Sequence, residues 1–376
     1  MIRPTTARVD LDAVRRNYAA IAAHVTRERS AHPPAVIAVV KANAYGHGAV
    51  HVARALERAG ATTLACADIE EGAALRVAGV EADILVFGAL SVSDLDGLFE
   101  YRLTPTISTP GAARAVQAAA ARRRVKLRYH LKIDTGMHRL GFRDDNLPYT
   151  LPGLLGSPNL ELEAVYTHFA TADDPESDLF DEQRERFTRA LEVVAQLGAK
   201  PVYRHAANSA ALLRDSRVWL DAVRPGLLLY GLVPPPLAST LPLTPALTLT
   251  SCIVAVKGMR PGERVGYGGR FVAERACRIA VVPAGYADGL DWRLGGRGAV
   301  LVRGRRAPIV GAVSMDLVTI DVTGLDVAPG DPVVILGSQG EDRIDVREMA
   351  ATIGTIPWEI VCRIGSRIER VYDGGT

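Results

Sequence analysis

The chain has 376 residues, 48% of them hydrophobic, and its 44 basic and 42 acidic side chains leave a formal charge of only +2. That length predicts one large and one smaller domain, and the balanced charge gives no reason to expect nucleic acid or an anionic membrane as a partner. No stretch approaches the apolar length of a membrane span, and the start, Met1-Ile2-Arg3-Pro4-Thr5-Thr6, lacks the apolar core of a secretory signal, so a cytoplasmic protein is expected. Cys66, Cys252, Cys277 and Cys362 lack metal-ligand spacing. They are expected as buried reduced thiols, and no metal site is expected.

From the amino end, short β-rich runs are predicted at 35–40, 63–67, 84–87, 104–107, 126–133, 162–167, 202–205 and 220–223. Helical patterns fall between them, with 47–59 as one example and 178–197 as the longest. Arg122-Arg123-Arg124 reads as a solvated helix end and turn. Eight strands alternating with helices over roughly 230 residues is the count for a (β/α)8 barrel. An open doubly wound sheet has the same alternation, but the glycine fingerprint of a dinucleotide site is missing.

Val233-Pro234-Pro235-Pro236 lacks amide donors and suits a linker. Beyond it the pattern turns to strands at 247–256, 276–282, 299–302, 317–322 and 332–336, separated by tight turns. The expected architecture is an N-terminal (β/α)8 TIM-like barrel over 8–233, followed by a C-terminal mainly β-strand domain over 237–376. Residues 1–7 are candidates to pair with the second domain.

Active sites of such barrels lie at the carboxyl ends of the strands. Lys41 follows the first strand in Val39-Val40-Lys41-Ala42-Asn43-Ala44-Tyr45-Gly46-His47-Gly48. A poorly solvated pocket there favours the neutral amine, the nucleophile of Schiff-base chemistry. By itself, a strand-end lysine is more often a snorkelling surface residue. The run from Lys132 to Gly141 ends strand five, Tyr166-Thr167-His168-Phe169 ends strand six, His205-Ala206-Ala207-Asn208-Ser209 ends strand seven, and Val223-Arg224-Pro225-Gly226-Leu227 ends strand eight. Ser209 and the amides after Gly226 are positioned to donate to a phosphate, although a serine there is more often an ordinary helix cap. His168, taken alone, is more often a satisfied core histidine. Arg224 is harder to dismiss, because a guanidinium cannot discharge itself.

Together these segments resemble the alanine racemase family, of fold-type III, across essentially the whole chain. The β-domain runs Val265-Gly266-Tyr267-Gly268, Gly285-Tyr286-Ala287-Asp288-Gly289 and Gly311-Ala312-Val313-Ser314-Met315-Asp316 carry the resemblance as well. It implies that Lys41 binds pyridoxal 5'-phosphate and acts as base towards the D-substrate, with Tyr267 as base for the L-substrate. It also implies a proton route from Tyr267 through His168 to Arg224, with Arg224 facing the pyridine nitrogen of the cofactor. Arg139 would meet the cofactor's phenolic oxygen and the substrate carboxylate, and Met315, Tyr286 and Asp316 would line the substrate. Tyr45, Asn208, Ser209, Gly226 and Leu227 would hold the cofactor, chiefly at its phosphate. Lys132 matches the position at which members can carry a carbamate. A head-to-tail homodimer with composite sites, acting on a small amino acid and supplying D-alanine for peptidoglycan, follows from the same resemblance.

Ser366 stands where the family often has tyrosine, in Cys362-Arg363-Ile364-Gly365-Ser366-Arg367-Ile368-Glu369-Arg370, which leaves broader serine or alanine use open. A two-domain decarboxylase would need cysteine and acidic motifs where this chain has Tyr267 and Met315-Asp316. A binding-only cofactor protein would leave everything after Pro236 unexplained, and a Schiff-base aldolase would need no cofactor.

Overall fold

The predicted β-rich runs form eight parallel strands: Ala35–Val39, Thr63–Cys66, Asp83–Val86, Thr104–Ile107, Leu127–Asp134, Leu160–Tyr166, Tyr203–His205 and Ala222–Val223. Pairing follows chain order, and the last strand returns to the first through Ala222↔Ala35 and Val223↔Val36, so the sheet closes into a barrel. An open doubly wound sheet is thereby excluded. Strands buried on both faces need continuous apolar sequence rather than alternation. Asp83–Val86 shows it in Ile84, Leu85 and Val86, all buried. This computed structural model describes residues 4–28, 31–90 and 94–374. Contacts divide it into two units. Ala13–Ala44 and Ala49–Thr244 make the barrel unit, while the chain up to Asp12, Tyr45–Gly48 and the chain from Pro245 onward make the second.

The barrel helices carry readable ends. Pro110–Arg123 starts with a proline in its first turn behind Thr109, whose hydroxyl accepts from the Ala112 amide at 3.1 Å, and it stops at Arg124 in left-handed conformation. Leu179–Gln196 buries Phe180, Gln183, Phe187, Ala190 and Val194, a stripe at three- and four-residue spacing. Of the four cysteines only Cys66 is buried; Cys252 and Cys277 are half-buried and Cys362 is exposed. The expectation that all four sit in the core is therefore wrong for three, because they lie on short strands or a helix end with one face open. No helix among the described residues is long and apolar enough to cross a membrane.

The second unit is mainly β. Its largest sheet places Thr6–Asp10 between Leu247–Cys252, antiparallel, and Glu369–Asp373, parallel. The run expected as one strand at 247–256 is two, Leu247–Cys252 and Ala255–Met259. They belong to different sheets, and between them the Ile253 amide donates to Asp331 and the Val254 amide to Val281. A short hairpin, Arg264–Val265 with Phe271–Val272, carries Tyr267 in its turn.

The segment after Lys41 is unusual. Ala42, Asn43, Ala44 and Tyr45 all have φ near +50° (53°, 53°, 54° and 51°), a left-handed turn built without glycine. Left-handed backbone costs an L-residue about 1–2 kcal/mol each, so the turn needs outside support. Glu71, on the helix after the second strand, supplies it by accepting from the Ala42 amide at 2.7 Å and the Ala67 amide at 2.8 Å. Asn43 accepts from the Ala49 amide at 2.8 Å. Gly46 ends the turn at φ 82°, and a Cβ there would collide with the Val361 carbonyl. Glu71→Ala should lower unfolding stability in urea by about 2–4 kcal/mol, since hydrogen bonds to a charged acceptor contribute about 1.5–3 kcal/mol. Glu71→Gln, which keeps one acceptor oxygen, should lose about half as much. An alanine variant as stable as the parent would mean the turn is held by something else.

Candidate active site

The rim at the carboxyl ends of the barrel strands gathers cations. Arg224, just past the eighth strand, is 4% exposed. Its NH1 donates to His205 Nδ1 at 2.8 Å, and its NH2 lies 2.8 Å from the Thr167 carbonyl, 3.0 Å from the Ala206 carbonyl and 3.3 Å from His168 Nδ1. Burial draws the guanidinium down to about 10, so it stays charged at neutral pH. Its carbon lies 5.1 Å from the centre of the Tyr166 ring, which stacks on His205 with centroids 4.7 Å apart.

Lys132, 5% exposed at the end of the fifth strand, lies 5.6 Å from the centre of the same ring. Its pKa falls to about 8, first through burial and then through Arg139 and Arg224, with Asp134 opposing and Lys41 adding a smaller push. His168 is held well below its ordinary range by removal from solvent and then by Arg224, Lys132, Arg139 and Lys41. Four cationic side chains thus act on one imidazole. An arginine has no acceptor, so Nδ1 of His168 and of His205 must accept from Arg224, and each ring when neutral carries its proton on Nε2.

Of the expected residues, Lys41, Lys132, His168 and Arg224 are brought together at this rim, with Arg139 close enough to act on Lys132 and His168 although its own side chain is exposed. Asn208 rather than Ser209 is the helix cap, accepting from the Ala211 amide at 2.9 Å. That frees the Ser209 hydroxyl to face the eighth strand's loop, where it accepts from the Gly226 amide at 3.0 Å and lies 3.5 Å from the Leu228 amide. Leu227 begins the short 3-10 turn Leu227–Tyr230 beside them. Tyr45 is half-buried and its carbonyl faces His47 Nδ1 at 2.9 Å. Gly46, His47 and Gly48 are buried.

In the second unit, Tyr267 is 76% exposed between Gly266 at φ 69° and Gly268 at φ 72°, backbone that only glycine adopts without strain. Tyr286 and Met315 are also exposed, and the Tyr286 and Ala287 amides donate to the Ser314 and Met315 carbonyls at 3.0 and 3.1 Å. Asp316 is ion-paired to Arg367 at 2.8 Å, and Arg367 also pairs with buried Asp288 at 2.9 Å. Asp316 therefore positions its loop through Arg367. Ser366, next in the chain to Arg367, is exposed.

Two polar residues that sequence reasoning passed over hold the rim. Glu71 clamps the Lys41 turn. Gln183, wholly buried, donates to the His168 carbonyl at 3.0 Å and to the Thr135 hydroxyl at 3.3 Å, and accepts from the Ala170 amide at 2.8 Å. The signal for Gln183 was available, since an amide on an otherwise apolar helical stripe needs partners in the core.

The donor set suits an anionic, phosphate-bearing ligand with a carboxylate substrate, because buried cations and a hydroxyl–amide corner occupy the rim. Known proteins resemble the chain along its whole length. Residues 9–234 match the family described as alanine racemase, N-terminal domain, and residues 246–372 match alanine racemase, C-terminal domain. The alanine racemase of Carboxydothermus hydrogenoformans is 43% identical over 378 residues, covering 99% of this chain and 100% of that protein. That of Symbiobacterium thermophilum is 41% identical, covering 100% and 98%. The crystal structure of alanine racemase from Streptomyces lavendulae superposes with a TM-score of 0.94 at 36% identity, covering 100% of this chain and 98% of that one. Likeness that runs through both domains at this identity leaves one conclusion: the chain belongs to the alanine racemase family and is an amino-acid racemase.

Proposed function

We propose that the chain interconverts L- and D-alanine with pyridoxal 5'-phosphate bound at Lys41, using one base on each face of the substrate, in a head-to-tail homodimer of the cytoplasm that supplies D-alanine for peptidoglycan. The observation that carries this reading is the buried Arg224 guanidinium, set among Lys132, His168 and His205 at the barrel rim. When bound, the cofactor supplies electron withdrawal that acidifies the substrate Cα–H bond. Arg224 would face its ring nitrogen, Ser209 with the Gly226–Leu227 turn, Asn208 and Tyr45 its phosphate end, and Arg139 its phenolic oxygen together with the substrate carboxylate.

Racemisation requires that a proton leave one face of Cα and arrive on the other. Lys41 would hold the proton on the face of the D-isomer. Tyr267 of the partner subunit would hold it on the face of the L-isomer. A tyrosine 76% exposed on a glycine-flanked hairpin turn, in a unit where Tyr286 and Met315 are exposed too, supports a role completed by a second copy. His168 carries its proton on Nε2 when its Nδ1 accepts from Arg224, which supports its place between the tyrosine and the arginine.

Lys132, with its pKa near 8, supplies a fraction of neutral amine at neutral pH. That amine adds to the carbon of carbon dioxide, forming an N–C bond and releasing a proton, and the resulting carbamate anion would hold Arg139. Exposed Ser366 in place of a ring supports use of serine beside alanine; chiral analysis of an L- and D-amino-acid panel measures that breadth.

Lys41→Ala should lose the visible absorbance of the bound cofactor and racemisation in both directions. A borohydride-reducible adduct persisting on another lysine would overturn the assignment.

Tyr267→Phe should keep cofactor binding and lose racemisation by about 10²–10⁴-fold, the usual contribution of a positioned acid or base. Mixing inactive Lys41→Ala with Tyr267→Phe protein under subunit exchange should then return activity towards half the parental level. One composite site per heterodimer would carry both lesions and the other neither. Verified exchange without recovery would reject the shared site.

Protein incubated with 13C-labelled bicarbonate should show a carbamate carbon signal that strengthens as pH rises through about 8. The signal should be absent in Lys132→Ala, and its survival there would place the carbamate elsewhere.

A further inference from the structure

Beneath the rim, the barrel interior holds polar groups for which the racemase reading has no use. The hydrogen-bond partners of Arg224 are two imidazoles and two backbone carbonyls, so none of them offsets its charge. A buried cation without a counter-charge is costly, and a route to one leads down the barrel. His205 accepts from Arg224 at Nδ1, so its Nε2 bears the proton, and that nitrogen lies 3.1 Å from His130 Nδ1. His130 Nδ1 must then accept, which puts the His130 proton on Nε2. There it faces Glu163 Oε2 at 3.3 Å and the Tyr203 hydroxyl at 2.8 Å. The ring hydrogen bonds thus point one way, away from the guanidinium, and the last nitrogen of the series is shared between the Tyr203 hydroxyl and, at the longer distance, the Glu163 carboxylate.

Two further observations fit this direction. His130 and His205 are 1% and 0% exposed, and burial lowers the pKa of both, which keeps the rings neutral as the series requires. Burial works to raise Glu163, but the hydrogen bond from His130 and the Arg128 guanidinium at 2.7 Å overcome it and hold the carboxyl below its ordinary range. The fold also aims this carboxylate deliberately. Strands five and six pair Tyr129 with Leu162 and then His130 with Ala164, so Glu163 is the extra residue of a bulge. A bulge re-aims the side chain it carries.

We propose that Glu163 is the counter-charge of Arg224, coupled to it through His130 and His205 as a one-directional hydrogen-bond chain, and that Glu163 and His130 are therefore positioning residues for the rim guanidinium. The chain polarises each bond in turn, making His205 Nδ1 a stronger acceptor than an isolated imidazole. Its importance for catalysis rests on the cofactor role given to Arg224 above; its existence does not.

The test uses full-length protein without added cofactor, so that its failure is separate from any failure of the cofactor reading. In 15N-histidine-labelled protein at neutral pH, ring correlations assigned with His130→Gln and His205→Gln should show both rings neutral with the proton on Nε2. A proton on Nδ1 of either ring, or a charged ring, overturns the chain. In 15N-arginine-labelled protein, Glu163→Gln keeps an oxygen for His130 to donate to and removes only the charge. Solvent exchange of the Arg224 guanidinium hydrogens should then quicken roughly tenfold, the difference between a charge-assisted and a neutral series. Arg128→Gln, which removes the carboxylate's exposed partner and leaves the carboxylate, should change that rate less than twofold. Unchanged exchange in Glu163→Gln, or equal quickening in Arg128→Gln, overturns the counter-charge role. If Glu163→Gln does not fold, Glu163→Asp, which keeps the charge but draws it back from His130, replaces it; exchange should quicken there by a smaller factor, and a rate equal to the parent's overturns the proposal as well.

Discussion

A guanidinium buried at the mouth of the barrel is the constraint around which the site is arranged. Arginine cannot shed its charge as lysine can, so the structure has to supply acceptors, and it does so from two strand ends at once: the Thr167 carbonyl and His168 after the sixth strand, and His205 and the Ala206 carbonyl at the end of the seventh. Those acceptors fix what their owners can do. Two imidazoles are forced into one tautomer, and Lys132 and His168 are both pushed towards their neutral forms, first by burial and then by the same positive field. Removing the arginine would therefore alter the protonation of its neighbours as well as a single contact.

The Lys41 turn shows the same economy at the level of backbone. Four consecutive left-handed residues are tolerated because Glu71 and Asn43 take up amides there that a right-handed turn would have used otherwise. Strain held by surrounding hydrogen bonds is a means of fixing a side chain in place, and here it sits directly after Lys41, the residue proposed to hold the cofactor.

Much of this was legible in the chain. Most barrel strands could be read because they are short β-rich runs spaced by helical patterns, and the polar residues at their carboxyl ends, Lys41, Lys132, His168 and Arg224, marked the rim. The second unit was harder. Its strands switch sheets at Ile253 and Val254, where hydropathy continues unbroken although pairing changes. Glu163 was illegible for a different reason. Alternation along the strand assigns it to the face opposite Ala164, and only the bulge, which depends on pairing with Leu127–Asp134, turns it towards His130. Glu71 could not be found either, since a first-turn glutamate on a helix already has an ordinary explanation at the helix dipole.

The placement of Thr6–Asp10 governs how the molecule comes into being. Its parallel neighbour is Glu369–Asp373, and Arg8 meets Asp373 across 365 positions of sequence. At translation rates of about 5–20 residues per second, the first strand made waits tens of seconds for its parallel neighbour. The barrel strands, by contrast, meet neighbours close behind them and have their whole ring synthesised by Val223. Until Leu247–Cys252 is made the strand has neither neighbour, and until Glu369–Asp373 is made one of its edges stays an open template for any other nascent β-segment. The order of synthesis thus makes the final sheet, rather than the catalytic barrel, the step at which this chain is most exposed to misassembly.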